Sequence, residues 1–291
     1  MIDWWHAIVL GIVEGITEFL PVSSTGHLTV VEKLLGLNVS DPGVTAFTAI
    51  IQVGAMVASI IYFWSDIVRF ATAWFGGLFH ADKRNEPDYK MGWAIIVGFA
   101  ITAAIALALR DLVEGPLRSL WAVAIGLIAW SIVMFIADRV AARQAPTGTR
   151  AIGGGARDET TITWVDGAIL GLVQAISLVP GVSRSGATIS GGLLRGIDRV
   201  SATRMSFFLG IPTLVAAGTW EAASAAGHIS ATVGWVSTGI GTVISGVVAY
   251  FSIAWLLKFV AHNNFTGFII YRVLLGVAIL ALLLTGTISA V

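Results

Sequence analysis

The sequence predicts an all-α polytopic membrane protein made of two inverted repeats, each a re-entrant helical hairpin followed by three transmembrane helices. Three observations predict it. Of the 291 residues, 56% are apolar and 12% charged, against about 25% charged in soluble domains, and the mean hydropathy is +0.87. Several apolar runs reach roughly 20 residues, the length that crosses a bilayer as a helix. The chain also lies over itself at a constant shift: Val22-Ser23-Ser24-Thr25-Gly26 over Val182-Ser183-Arg184-Ser185-Gly186, and Ile8-Val9-Leu10-Gly11 over Ala168-Ile169-Leu170-Gly171.

Taken in order, residues 3–20 have a helical pattern but carry Glu14 and Glu18. Leu20-Pro21 stops that helix, and Ser23, Ser24 or Thr25 can cap a second one over 24–36, too short to span. Residues 44–64 form the first full crossing. Residues 65–91 are mixed, with 80–90 in water. Crossings at 92–110 and 118–137 follow. The Gly-rich segment 138–162, with four arginines, reads as exposed. It divides the chain into a first repeat (1–137), a cytoplasmic linker (138–163) and a second repeat (164–291). Residues 164–180 are apolar up to Pro180-Gly181, the stretch 184–196 is short and polar at its start, and crossings at 205–226, 232–257 and 268–290 complete the chain.

The topology follows from the count. A hairpin that enters and leaves on one face, followed by three crossings, puts the second hairpin on the opposite face, an arrangement suited to holding a polar group near the midplane. Basic residues orient it. With both termini outside, thirteen Lys and Arg, Arg272 among them, fall on the cytoplasmic side, against Lys33, Arg110 and Arg118 outside. Arg184 is left in the interior. Asp198, Arg199, Ser201 and Arg204 read as a topogenic, lipid-facing loop. With no cysteine, disulfides, thiol chemistry and cysteine-ligated metals are excluded. Partners are membrane lipids, with no nucleic acid expected; a homo-oligomer is left open.

The run from Glu14 to His27 places two carboxylates, three hydroxyls and an imidazole in an apolar chain. Charges in hydrocarbon cost on the order of 2.5–3.5 kcal/mol each on insertion scales, so such a cluster marks a site. Glu14 and Glu18, four apart, share one helix face. Under the hairpin topology two helix N-termini, at Ser23-Ser24 and Ser183-Arg184, point free N–H groups into one volume. That favours an anion, and Arg184 adds a planar donor fork suited to phosphate. Arg184 can equally neutralise Glu14 or Glu18 as a buried pair. Ser23, Thr25, Gly26, Ser183, Ser185 and Thr188 are the supporting substrate-binding candidates. The repeats differ at the charged positions: Glu14 is matched by Gln174, Glu18 by Leu178, Ser24 by Arg184 and His27 by Ala187. One half supplies acids and histidine, the other the cation, a division from which an enzyme acting on one asymmetric bond would benefit.

Phosphoryl transfer fits these groups. Ser24 stands one turn before His27, so the two can meet. Glu18 can orient His27, hold a divalent cation or assist proton transfer. Glu14 and Glu18 are hard oxygen ligands for Mg²⁺ or Ca²⁺, with substrate phosphates completing the site. Ser24, His27 and an activated water all remain open as the attacking group.

Glu14-Gly-Ile-Thr-Glu18-Phe-Leu-Pro-Val-Ser-Ser24-Thr-Gly-His27 and Pro180-Gly-Val-Ser-Arg184-Ser-Gly-Ala-Thr188 resemble the two motifs of the bacterial undecaprenyl-diphosphate phosphatases of the bacitracin-resistance type, and the resemblance extends over essentially the whole chain. It implies hydrolysis of undecaprenyl diphosphate to the monophosphate and inorganic phosphate, recycling the lipid carrier for peptidoglycan. It also implies six crossings with two re-entrant hairpins, a divalent cation, residence in the bacterial cytoplasmic membrane and a site opening to the periplasm. Carried over by motif, Glu14 and Glu18 are the acidic pair, Ser24 and His27 the motif serine and histidine, Arg184 the phosphate-binding arginine, and Ser183 and Thr188 supporting members. The competing reading is an inverted-repeat transporter or flippase for an anionic or lipid-linked substrate; a membrane scaffold is a third.

Overall fold

The computed structural model describes residues 2–39, 41–114, 119–144 and 157–290. All regular structure among them is helical apart from one isolated parallel bridge between Arg157 and Ile197. In chain order the helices are α1 (Trp4–Thr17), α2 (Ser24–Leu34), α3 (Pro42–Tyr62), α4 (Trp64–Phe79), α5 (Pro87–Ala108), α6 (Arg110–Glu114), α7 (Leu120–Gln144), α8 (Trp164–Ile176), α9 (Arg184–Leu194), α10 (Arg199–Thr232), α11 (Trp235–Val260) and α12 (Thr266–Leu284). Six of these, α3, α5, α7, α10, α11 and α12, are long and apolar enough to cross a membrane. The chain is a polytopic helical membrane protein.

Four of the shorter helices, α1, α2, α8 and α9, form two matched pairs. α1 starts at Trp4 and α8 at Trp164; α2 starts at Ser24 and α9 at Arg184, all at the shift visible in the sequence. The matching extends to detail. Asp3 and Thr163 each open their helix with a reciprocal capping box, using His6 and Asp166. Ser23 and Ser183 each take φ of 75° and are the only non-glycine residues with positive φ among those described. A serine held there is strained, so the same strained turn has been built twice.

Packing crosses between the halves. α1 lies against α11 and α8 against α5, while α3 packs on α10 and α7 on α12. The first two contacts are backbone-close. A Cβ on Gly11 would strike the Gly241 carbonyl, and one on Gly171 would strike the Gly98 carbonyl. α1 and α8 therefore each bed into a long helix of the opposite half.

Several expectations change. Within 65–91 the structure has a defined helix, α4, carrying exposed Trp64, Phe75 and Phe79. The stretch read as a linker starts later than expected, because α7 continues to Gln144 and buries Asp138 against Arg199, 2.8 Å away. Residues 145–156, Arg118 and Arg150 lie outside the described residues. Residues 157–163 are pinned rather than free. Arg157 makes a two-pronged ion pair with Asp166 at 2.7 and 2.9 Å, and Arg195 reaches the same carboxylate at 3.0 Å.

The patch at 198–204 does not face lipid. Asp198 caps α10 by accepting from the Val200 and Ser201 amides, Arg199 pairs with Asp138, and Arg204 pairs with Asp66 and Glu159. Arg272 is not at the cytoplasmic surface either: it is 0% exposed and hydrogen-bonded deep between helices.

Candidate active site

Two breaks in the chain create the site. After α1, Leu20-Pro21-Val22 turns the chain, and Ser23 in its positive-φ conformation redirects it into α2. After α8, Pro180-Gly181-Val182 and Ser183 do the same for α9. The two turns touch: Ser185 Oγ donates to the Leu20 carbonyl at 3.0 Å. The N-terminus of α9 is further tied by Ser183 Oγ, which accepts from the Gly186 amide at 3.2 Å.

Between the turns, the Glu18 carboxylate joins both halves. Ser24 Oγ donates to its Oε2 at 2.6 Å, and Arg184 Nη2 donates to its Oε1 at 3.3 Å. Glu18 and Arg184 are 166 positions apart in sequence, and both side chains are largely buried. The groups the sequence marked as acid, hydroxyl and cation thus meet on one carboxylate. They are not saturated. Arg184 Nε and Nη1 have no partner, and neither carboxylate oxygen of Glu14, a residue 1% exposed, has a hydrogen-bond partner. Glu14 sits within electrostatic reach of Glu18 and Arg184. Buried polar atoms normally find partners, so these open donors and acceptors are free to meet a charged ligand. The Arg184 guanidinium lies over Gly210 of α10, where any Cβ would overlap Nη1.

His27 is placed differently from expectation. Its Nδ1 is 2.7 Å from the Ser23 carbonyl and its Nε2 is 2.6 Å from the Tyr271 hydroxyl. A carbonyl only accepts, so Nδ1 carries a hydrogen; in the neutral ring Nε2 then accepts from Tyr271. The expected Ser24–His27 pair does not form, nor does Glu18 orient the imidazole. Back-bonding to Ser23, four residues earlier, turns the ring away, and Ser24 uses Glu18 instead.

Of the supporting residues, Ser23 and Ser183 form the turns, and Ser185 links them. Gly26 is buried with Val123 close by, and Thr25 is exposed. Thr188 Oγ1 is 2.8 Å from the Arg184 carbonyl and 2.6 Å from Ser206 Oγ, so it braces α9 against α10. Gln174, the counterpart of Glu14, donates to Thr102 and Thr213. Sequence reasoning missed Tyr271 and Arg272. A signal was present, an ionisable residue next to a tyrosine within an apolar segment, but proximity to the segment's end suggested a loop charge.

For a divalent cation, the donor chemistry fits. Glu14 and Glu18 offer carboxylate oxygens, two of them buried and unpartnered, as hard cations prefer. Among the described residues no group of three or more His, Cys, Asp or Glu forms, so a bound ion needs ligand oxygens from the substrate.

Known proteins match almost the whole chain. Residues 7–278 match the family model described as bacitracin resistance protein BacA. A protein of Cutibacterium acnes named undecaprenyl-diphosphatase is 54% identical, over 99% of this chain and 100% of the relative. Undecaprenyl-diphosphatase 3 of Frankia casuarinae is 50% identical over 98% of both chains, and undecaprenyl-diphosphatase 1 of Streptomyces avermitilis 47% over 99% of both.

Proposed function

The chain belongs to the bacitracin resistance protein BacA family, and we infer from that membership that it hydrolyses undecaprenyl diphosphate to undecaprenyl phosphate and inorganic phosphate. The reaction recycles the lipid carrier for cell-wall synthesis, and the chain performs it as a multi-pass protein of the bacterial inner membrane.

The carrying observation for the site is the Glu18 carboxylate held between Ser24 and Arg184. Ser24 is the nucleophile in this reading. Its Oγ attacks the terminal phosphorus, its proton passes to Glu18, and the bond from that phosphorus to the bridging oxygen breaks, releasing undecaprenyl phosphate. Water then attacks the phosphoserine: the bond from phosphorus to Ser24 Oγ breaks, Glu18 returns its proton to that oxygen, and inorganic phosphate leaves with the water's hydrogens. Arg184, through its two free donors, and the α2 and α9 N-termini hold the non-bridging oxygens, where positioned donors lower the barrier most. Glu14 and Glu18 would hold a divalent cation, Mg²⁺ or Ca²⁺, which when bound supplies charge neutralisation on the phosphate oxygens. Ser23, Thr25, Gly26, Ser183 and Ser185 frame the pocket, and Thr188 keeps Arg184 in place through α9. His27, whose Nε2 accepts from the Tyr271 hydroxyl, holds the Ser23 carbonyl through Nδ1 and so steadies the turn that carries Ser24.

The finer architecture is part of the proposal. At 1.5 Å per residue α1, with 14 residues, is about 21 Å long, short of the roughly 30 Å hydrocarbon core. We read α1–α2 and α8–α9 as re-entrant hairpins, entering from the periplasm and the cytoplasm respectively. Residues 1–137 and 164–291 are the inverted repeats, both termini are periplasmic, and the site opens to that side. Phosphate release by purified protein from a prenyl diphosphate, abolished in Ser24→Ala and Arg184→Ala, tests the chemistry. Movement of lipid without phosphate release would favour the flippase reading, to which the paired repeats also lend themselves.

A further inference from the structure

Arg272 is the largest fully buried side chain among those described, and its hydrogen bonds run to neutral oxygens. Nη1 donates to the Pro21 carbonyl at 3.0 Å. Nη2 donates to the Gly181 and Val182 carbonyls at 2.9 and 3.0 Å and approaches that of Leu127 at 3.4 Å. Nε donates to Ser131 Oγ at 3.2 Å. Among the described residues no carboxylate forms an ion pair with it. Burying a guanidinium without a counter-ion is costly, so packing alone does not account for it; a leucine would fill a helix interface at less expense. What distinguishes these acceptors is their place in the chain. Pro21 lies two residues before Ser23, and Gly181 and Val182 lie just before Ser183. One planar fork spans the two turns that launch α2 and α9, and Ser131 anchors it to α7.

We propose that Arg272 is a positioning residue for phosphate hydrolysis, setting the separation and alignment of the Ser24 half-site and the Arg184 half-site by clamping both turns to α12. Its planar geometry is essential: an ammonium cannot reach three turn carbonyls and Ser131 at once. The inference rests on the reading of the pocket as a diphosphate hydrolase. The clamp touches neither substrate nor the reacting atoms. Its loss therefore shows in the chemical step, because binding needs one half-site while attack needs both aligned.

The test uses the full-length protein in detergent, with phosphate release from a prenyl diphosphate followed in wild type, Arg272→Lys and Ser131→Ala, and the folded fraction measured in the same samples. Expected is a fall in kcat per folded molecule of about 100-fold for Arg272→Lys, with KM changed by less than about threefold. Ser131→Ala, which removes the Nε acceptor along with the hydroxyl's bond to the Leu127 carbonyl within α7, should lower kcat several-fold at unchanged KM and keeps the question open to measurement if Arg272→Lys does not fold. Wild-type kcat per folded molecule in the variant that folds, or a loss carried entirely by KM, overturns the proposal. Wild-type protein that releases no phosphate overturns the hydrolase reading itself, a result distinct from active variants beside an active wild type.

Discussion

Glu18 is the residue on which the chemistry turns, because it receives the Ser24 hydroxyl and the Arg184 guanidinium on separate oxygens. Glu18→Gln keeps the shape and removes the base. Phosphate release should fall by at least about 100-fold, the usual contribution of a positioned general base, and a KM-only effect would contradict that role. Glu14 behaves differently, having no hydrogen-bond partner for either oxygen. Glu14→Gln should raise the Mg²⁺ or Ca²⁺ concentration needed to restore activity after chelator treatment, and an unchanged titration would remove Glu14 from the cation site. Gly210 carries no chemistry at all. In Gly210→Ala the added methyl displaces the end of Arg184, so activity should collapse while thermal stability stays close to wild type, measured by fluorescence unfolding in detergent.

At the scale of the element, the strained serines explain how two short helices come to face each other. Both motifs were legible as helix breaks: Pro21 and Pro180-Gly181 are plain punctuation, and Ser23 and Ser183 repeat in register. The partner of Ser24 was not legible. Spacing of three within α2 favoured His27, whereas the turn brings Glu18 back over the helix start, a tertiary effect that periodicity does not encode. Tyr271 and Arg272 stayed hidden for a similar reason, since their roles depend on which helix packs beside α2 and α9.

The base of α8 is held by Asp166. Burial alone would raise its carboxyl; hydrogen bonds from Arg157 and from the amide and hydroxyl of Thr163 outweigh that and hold it well below the usual carboxylate range. A carboxylate depressed on folding stabilises fully above its unfolded value of about 4 and loses that contribution as pH falls below it. Asp166→Asn should therefore unfold at lower temperature than wild type at pH 7, with the gap narrowing below about pH 4. A gap independent of pH would count against the pairing.

For the whole molecule, composition and apolar run length were enough to anticipate six crossings, and the internal shift anticipated the paired short helices. The positive-inside argument counted Arg199 and Arg272 among the charges of the cytoplasmic side, and the structure buries both, Arg199 against Asp138 and Arg272 among backbone carbonyls. The chain has no cysteine, so single cysteines placed at exposed Asp3 and at Asp158 can report sidedness. Asp3→Cys should react with an impermeant reagent from the periplasmic side and Asp158→Cys only from the cytoplasmic side; reaction of both from one side would rule out opposed hairpins. Finally, α1 beds on α11, a helix that begins only at Trp235. During synthesis the segment with both glutamates thus emerges long before its seat exists. Either half expressed alone should be inert and short-lived, and biogenesis must shelter the first acidic hairpin until the ribosome has nearly finished.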